Sequence, residues 1–253
     1  MLIDFAIYAV LGAVVVGAVL FIARGGRRPF RAGLDRLVAQ HGWVLDEEDG
    51  HSTGRIALRL TPGDGAGWSV TLRESTRRSP GRSDVRRTLA ARFHSPTPHW
   101  PDGWLAIVPR ASDRITAGAT SLAAFVGAPL DMEDIRSMRL GSVLPEAALE
   151  TPARPVTLTG LPEGYEALLA GPATAPPPEL DVSALAAVLQ SWHGSSRRGH
   201  ARLELALGPD GLRVASALPV HPLTPAAPVL ERLIARSLDL RAAMLKAQGS
   251  GEG

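Results

Sequence analysis

The sequence predicts an α+β protein: a single N-terminal transmembrane helix, then a part built on antiparallel β-sheet hairpins with flanking helices. Three observations carry that expectation. An uncharged apolar run fills residues 5–23. In two later stretches the hydrophobic period becomes two, and each folds back on a turn rich in Gly, Pro and Asp. Apolar residues at helical spacing flank those stretches. Strands that follow one another without long helices between them pair as hairpins, which makes the sheet antiparallel.

The apolar run comes first. Phe5 to Ala23 is 19 residues of mostly Ala, Val, Leu, Ile and Phe, about 28 Å of helix, close to the thickness of bilayer hydrocarbon. Asp4 stands before it, and Arg24, Arg27, Arg28 and Arg31 crowd its far end. The positive-inside rule then predicts a single-pass protein of a bacterial cytoplasmic (inner) membrane. Its short N-terminus lies outside and its C-terminal part in the cytoplasm. A cleaved signal peptide would need a basic start, a shorter core and a small-residue cleavage site. Ala9, Ala13 and Gly17 recur every four residues, a stripe on which a second helix backbone can pack. The expectation is a protein partner or self-association through that helix.

Phe30 to His41 places Leu34, Leu37 and Val38 at helical spacing, with Gly42 as the C-cap. Ile56, Leu58 and Leu60 then alternate with Arg55, Ala57 and Arg59. A Pro62–Gly65 turn follows, and Trp68, Val70 and Leu72 alternate on its far side. Further strands are expected near Thr88 to His94 and Gly103 to Pro109. Helices are expected over Ala111–Gly127 and Met132–Leu140. Pro145–Pro155 reads as a connection, Val156–Thr159 as a strand, Pro162–Ala170 as a helix and Gly171–Glu179 as an extended Pro-rich loop. Asp181 should cap a helix ending near Trp192. A second hairpin runs from Ala201 through the turn Gly208–Gly211 to Leu218. A last amphipathic helix spans Ala226–Ala247. The division this predicts is an anchor with its basic segment (1–30), a β-rich unit (31–127), a connection (128–155), a second α+β unit (156–248) and a disordered tail (249–253).

Composition excludes several chemistries. There is no Cys, so thiolate metal sites, iron–sulfur clusters and Cys nucleophiles are out. The basic residues are 26 Arg and one Lys, Lys246, so no phosphate-binding Gly-Lys loop exists. Gly50-His51-Ser52-Thr53-Gly54 matches G-x-S-x-G. However, an acidic loop precedes it and a strand follows, the reverse of the strand–turn–helix setting that exposes a catalytic Ser. His94 with His99, and His193 with His200, lack metal-ligand spacing. No cofactor or metal is expected.

The unusual charged stretch is Leu72 to Arg92. It holds seven Arg against two acids, where about two Arg are expected at the chain's average frequency. Its Ser/Pro/Gly context reads as a long loop between strands. Arg77, Arg78, Arg82, Arg86 and Arg87, together with Arg24, Arg27, Arg28 and Arg31, are the candidate contacts to anionic headgroups. Each basic residue near such a surface is worth about 1 kcal/mol. Nucleic acid is disfavoured, since aromatics are 5% and no recognition helix or stacking motif is visible. The sequence therefore predicts a non-enzymatic, membrane-anchored cytoplasmic module that binds a protein partner and the anionic membrane surface. The alternative is a membrane-bound hydrolase with a dispersed active site.

Overall fold

A computed structural model describes residues 27–47, 57–78, 85–110, 140–141, 143–172, 177–193, 202–219 and 226–250. The expected anchor with Ala9, Ala13 and Gly17, and also Arg24, the 50–54 motif, Arg82 and His200, lie outside these residues. So do the helices expected over 111–127 and 132–140, except for Leu140. Among the described residues no helix is long and apolar enough to cross a membrane.

The fold is α+β. Helix α1 (Arg27–His41) ends at Gly42, whose φ of 65° is the left-handed C-cap that glycine adopts without strain. Strands β1 (Trp43–Glu47), β2 (Ala57–Pro62), β3 (Ser69–Arg78) and β4 (Val85–Ser95) follow, then β5 (Trp104–Pro109). A short helix α2 (Glu146–Leu149) leads to β6 (Ala153–Val156) and β7 (Tyr165–Ala170). Helix α3 (Val182–His193), the hairpin β8 (Glu204–Gly208) and β9 (Gly211–Pro219), and helix α4 (Ala226–Ser250) complete the order. The nine strands among the described residues form one sheet in the order β1-β2-β3-β4-β9-β8-β5-β7-β6, and every neighbouring pair is antiparallel. Strands from the 31–127 and 156–248 stretches thus share one ladder: β4 pairs with β9, and β5 lies between β8 and β7.

One face of the sheet carries the main core. Leu58, Leu60, Val70, Leu72, Leu89, Phe93, Leu105, Ile107, Leu205 and Val214 are buried there beneath three helices. These are α1 with Phe30 and Leu34, α3 with Leu185, Leu189 and Trp192, and α4 with Leu230, Leu233, Ile234 and Leu240. Each helix presents its apolar residues three or four apart, the spacing that lines one helix face. Helix α1 packs on α4 and β1. Their backbones come close enough that a Cβ on Gly33 would sit 2.9 Å from that of Ala227. His41 closes the same corner, stacking on Trp43 with centroids 4.5 Å apart and meeting Glu231 Oε1 at 2.9 Å. The opposite face is covered over β5, β7 and β8, where Trp104, Ala106, Val108, Leu168 and Ala206 pack with Leu140, Val143, Leu144 and Ala148.

Four expectations need correction. Residues 162–170 are not a helix: β7 occupies 165–170. Tyr165, Ala167 and Leu169 face the main core, while Leu168 and Ala170 face the second. A strand covered on both sides carries a continuous apolar run and shows no alternation, so its Ala and Leu read as helix formers. Residues 72–78 and 85–92 are strand, not loop: β3 and β4 stay paired from Ser69 opposite His94 to Arg78 opposite Val85, and residues 79–84 lie outside the described residues. Polar residues at both odd and even positions from Arg73 on hide the period of two. The strand expected over 156–159 lies earlier, at 153–156, and α4 continues to Ser250, into the stretch expected as tail.

Candidate functional site

Alternation along β2, β3, β4 and β9 sends every second side chain away from the main core. On these four neighbouring strands the outward positions form rows across the sheet. One row runs Arg59, Thr71, Arg92, Ala215 and Glu204. The row on one side runs Ala57, Arg73, Ala90 and Ala217. The row on the other joins Ser69, His94 and Arg213. Strands lie about 4.8 Å apart and same-face positions about 7 Å apart, so the four Arg start from backbone sites within reach of one another. Arg59, Arg73 and Arg92 are exposed and Arg213 is half-buried.

These side chains line a shallow pocket of about 310 Å³. Its floor is β3, β4 and β9, one wall is Val143, and its end is Asp210 in the β8–β9 turn. The end wall is tied together. Asp210 accepts from Arg213 Nε at 3.3 Å and, by a shorter bond, from Arg213 Nη2. The Arg213 guanidinium also lies 5.3 Å from the centroid of the Trp104 ring. His94 Nε2 is 3.0 Å from the Asp210 carbonyl oxygen, which makes Nε2 the protonated donor. Arg92 Nη2 donates to the Gly141 carbonyl at 3.2 Å, joining the pocket to the cover over the second core.

The electrostatics are one-sided. Among the described residues, Asp210 is the one carboxylate lining the pocket beside four guanidiniums, and its two oxygens are engaged by Arg213. Arg92 is exposed by area, yet its charged end is crowded. Desolvation first, then repulsion from Arg73 and Arg213, pushes its pKa below the ordinary arginine value, with Glu204 opposing in part. An arginine in this position stays protonated, so the shift reports first the partial loss of water around its charge and then the neighbouring guanidiniums. An anion placed between Arg92 and Arg73 relieves their repulsion.

Of the predicted contacts, Arg31 bonds Glu47 at 2.7 Å and Asp35 at 3.3 Å. Arg27 and Arg28 stand in the first turn of α1. The ladder sets Arg77 opposite Arg86, Arg87 opposite Thr76 and Arg78 opposite Val85, on the continuation of the two strands that carry Arg73 and Arg92. Arg73 and Arg92 belong to the enriched window but were not singled out. Arg59 and Arg213 lie outside it. The available signal was their polar place in two alternating strands, Arg59 between Leu58 and Leu60 and Arg213 between Leu212 and Val214. Among the described residues no group of His, Asp and Glu could hold a metal ion. In comparisons with known proteins, no family model, curated protein or solved structure matches the chain.

Proposed function

We propose that this protein is a non-enzymatic interaction module, anchored in the bacterial cytoplasmic membrane by residues 5–23, whose cytoplasmic sheet face binds an anionic partner. The observation that carries this reading is the set Arg59, Arg73, Arg92 and Arg213, delivered by four adjacent strands to one face and outnumbering the carboxylates Asp210 and Glu204 beside them among the described residues. Guanidinium forks suit phosphate and carboxylate oxygens. Arg24, Arg27, Arg28 and Arg31 would lie at the inner leaflet, and Ala9, Ala13 and Gly17 would pack on a partner helix or a second copy. A hydrolase would need carboxylates gathered with His94, His99 or His193 in a pocket. The pocket at His94 gathers guanidiniums instead, and its carboxylate is held by Arg213.

The test uses the full chain in nanodiscs of neutral lipid, offered vesicles with and without anionic phosphodiester lipid. Anionic vesicles should bind in a salt-sensitive way, and an Arg59→Gln/Arg73→Gln/Arg92→Gln variant should bind at least tenfold more weakly. Equal binding by the folded variant removes this face from the function. A C-terminal reporter active only outside the cytoplasm should stay silent, and activity would reverse the orientation.

A further inference from the structure

We propose that the pocket between β3, β4 and β9 is a specific site for a phosphoryl dianion, a phosphomonoester or diphosphate group. This rests on the reading above and names the ligand chemistry. The pocket presents donors almost alone. Arg59, Arg73 and Arg92 bring guanidinium forks, and Thr71 stands in the ladder between Arg59 and Arg92 with its hydroxyl on the same face. The carboxylate lining it, Asp210, is engaged by Arg213 and its backbone carbonyl by His94, while Glu204, farther along the same row, offsets the charge on Arg92 only in part. A site of this kind recognises a group that only accepts. A carboxylate offers two oxygens and one charge. A phosphoryl group offers three oxygens and nearly two charges, which matches three forks and a hydroxyl converging from three strands.

The geometry also separates this pocket from a diffuse basic surface. Arg213 is fixed by the Asp210 carboxylate below and the Trp104 ring beside it, and Arg92 is braced on the Gly141 carbonyl. Their positions are therefore set before a ligand arrives, which reduces the entropy lost on binding. The volume of about 310 Å³ lies at the small end of ligand pockets, about 300–1,000 Å³. It has room for a diphosphate or one phosphorylated headgroup.

Two sources can supply the group: a free phosphorylated molecule or a phosphomonoester lipid headgroup. The full chain in neutral-lipid nanodiscs is titrated with pyrophosphate by calorimetry, with sulfate at equal ionic strength as the control. In a second arm it is offered vesicles carrying phosphomonoester lipid or phosphodiester lipid at equal surface charge. Saturable pyrophosphate binding with one site per chain, at least tenfold tighter than sulfate, is expected. Arg73→Gln and Arg92→Gln should each weaken it tenfold or more, while Arg236→Gln, at an exposed arginine of α4 paired with Asp239, should not. Thr71→Val removes only the hydroxyl and should weaken it several-fold with the fold intact, which covers the case of an arginine variant that unfolds. Pyrophosphate that displaces phosphomonoester vesicles assigns the lipid source. Pyrophosphate binding with no vesicle preference assigns a free ligand. Non-saturable binding, or equal binding by sulfate and by the variants, overturns the site. If anionic vesicles still bind by charge alone, the module reading survives that result. If they too fail to bind, both readings fall.

Discussion

Gly208 shows how much one missing side chain can organise. It closes the β8–β9 hairpin opposite Gly211, and its carbonyl accepts the Trp100 amide at 2.9 Å. A Cβ here would fall inside the Trp104 indole, the same ring that supports Arg213. Gly208→Ala should therefore cost about 1–3 kcal/mol by overpacking, read as a lower denaturation midpoint. It should also weaken pyrophosphate binding through Arg213. Tyr165 is a second residue whose setting has a measurable effect. Burial, only partly offset by Arg202, pushes its phenol up to about 12 from an ordinary 10. The folded state thus holds the proton more tightly than the unfolded chain, in which Tyr165 ionises near pH 10. Its contribution to stability is complete below about pH 10 and lost as pH rises toward about 12. Alkaline absorbance titration should show a late tyrosine step that Tyr165→Phe removes.

At the scale of single elements, α3 illustrates a helix specified by its own sequence. Asp181 Oδ1 accepts the Ala184 amide at 3.0 Å, and Leu185, Val188, Leu189 and Trp192 repeat on one face against the sheet. Asp181→Ala should cost about 0.5–2 kcal/mol, seen as a lower denaturation midpoint with an unchanged fold by circular dichroism. The two hairpins were equally legible, because alternation and a Gly-containing turn are both local signals: Leu58 and Leu60 against Val70 and Leu72, and Leu205 and Leu207 against Leu212 and Val214. β7 was not legible. Its burial on two faces arises from α3 on one side and the 140–148 cover on the other, and neither is encoded in residues 165–170. The Arg-rich strands look like a loop in sequence because charged and polar residues occupy both parities between the inward Leu72 and Leu89, buried Glu74 among them.

Across the whole molecule, the pairing of β4 with β9 assembles the site, and no local pattern announces it. His94 and Asp210 are 116 residues apart yet share a hydrogen bond. Two of the four pocket arginines lie inside the enriched window, Arg59 joins them through the local β2–β3 hairpin, and Arg213 arrives only through that long-range pairing. This order of strands also has a consequence for biogenesis. The chain is made from its N-terminus, and β1 to β4 can zip together early as a meander. Until the ribosome has delivered the β8–β9 hairpin, the nascent sheet ends in an unpaired β4, and β5 can pair with β7 but lacks its β8 neighbour. An open strand edge of this kind is a template for wrong partners. The chain must therefore be shielded, by a chaperone or by fast completion, through most of its synthesis. The pocket is complete only with β9, so a product stalled before it carries Arg59, Arg73 and Arg92 without the end wall of Asp210 and Arg213.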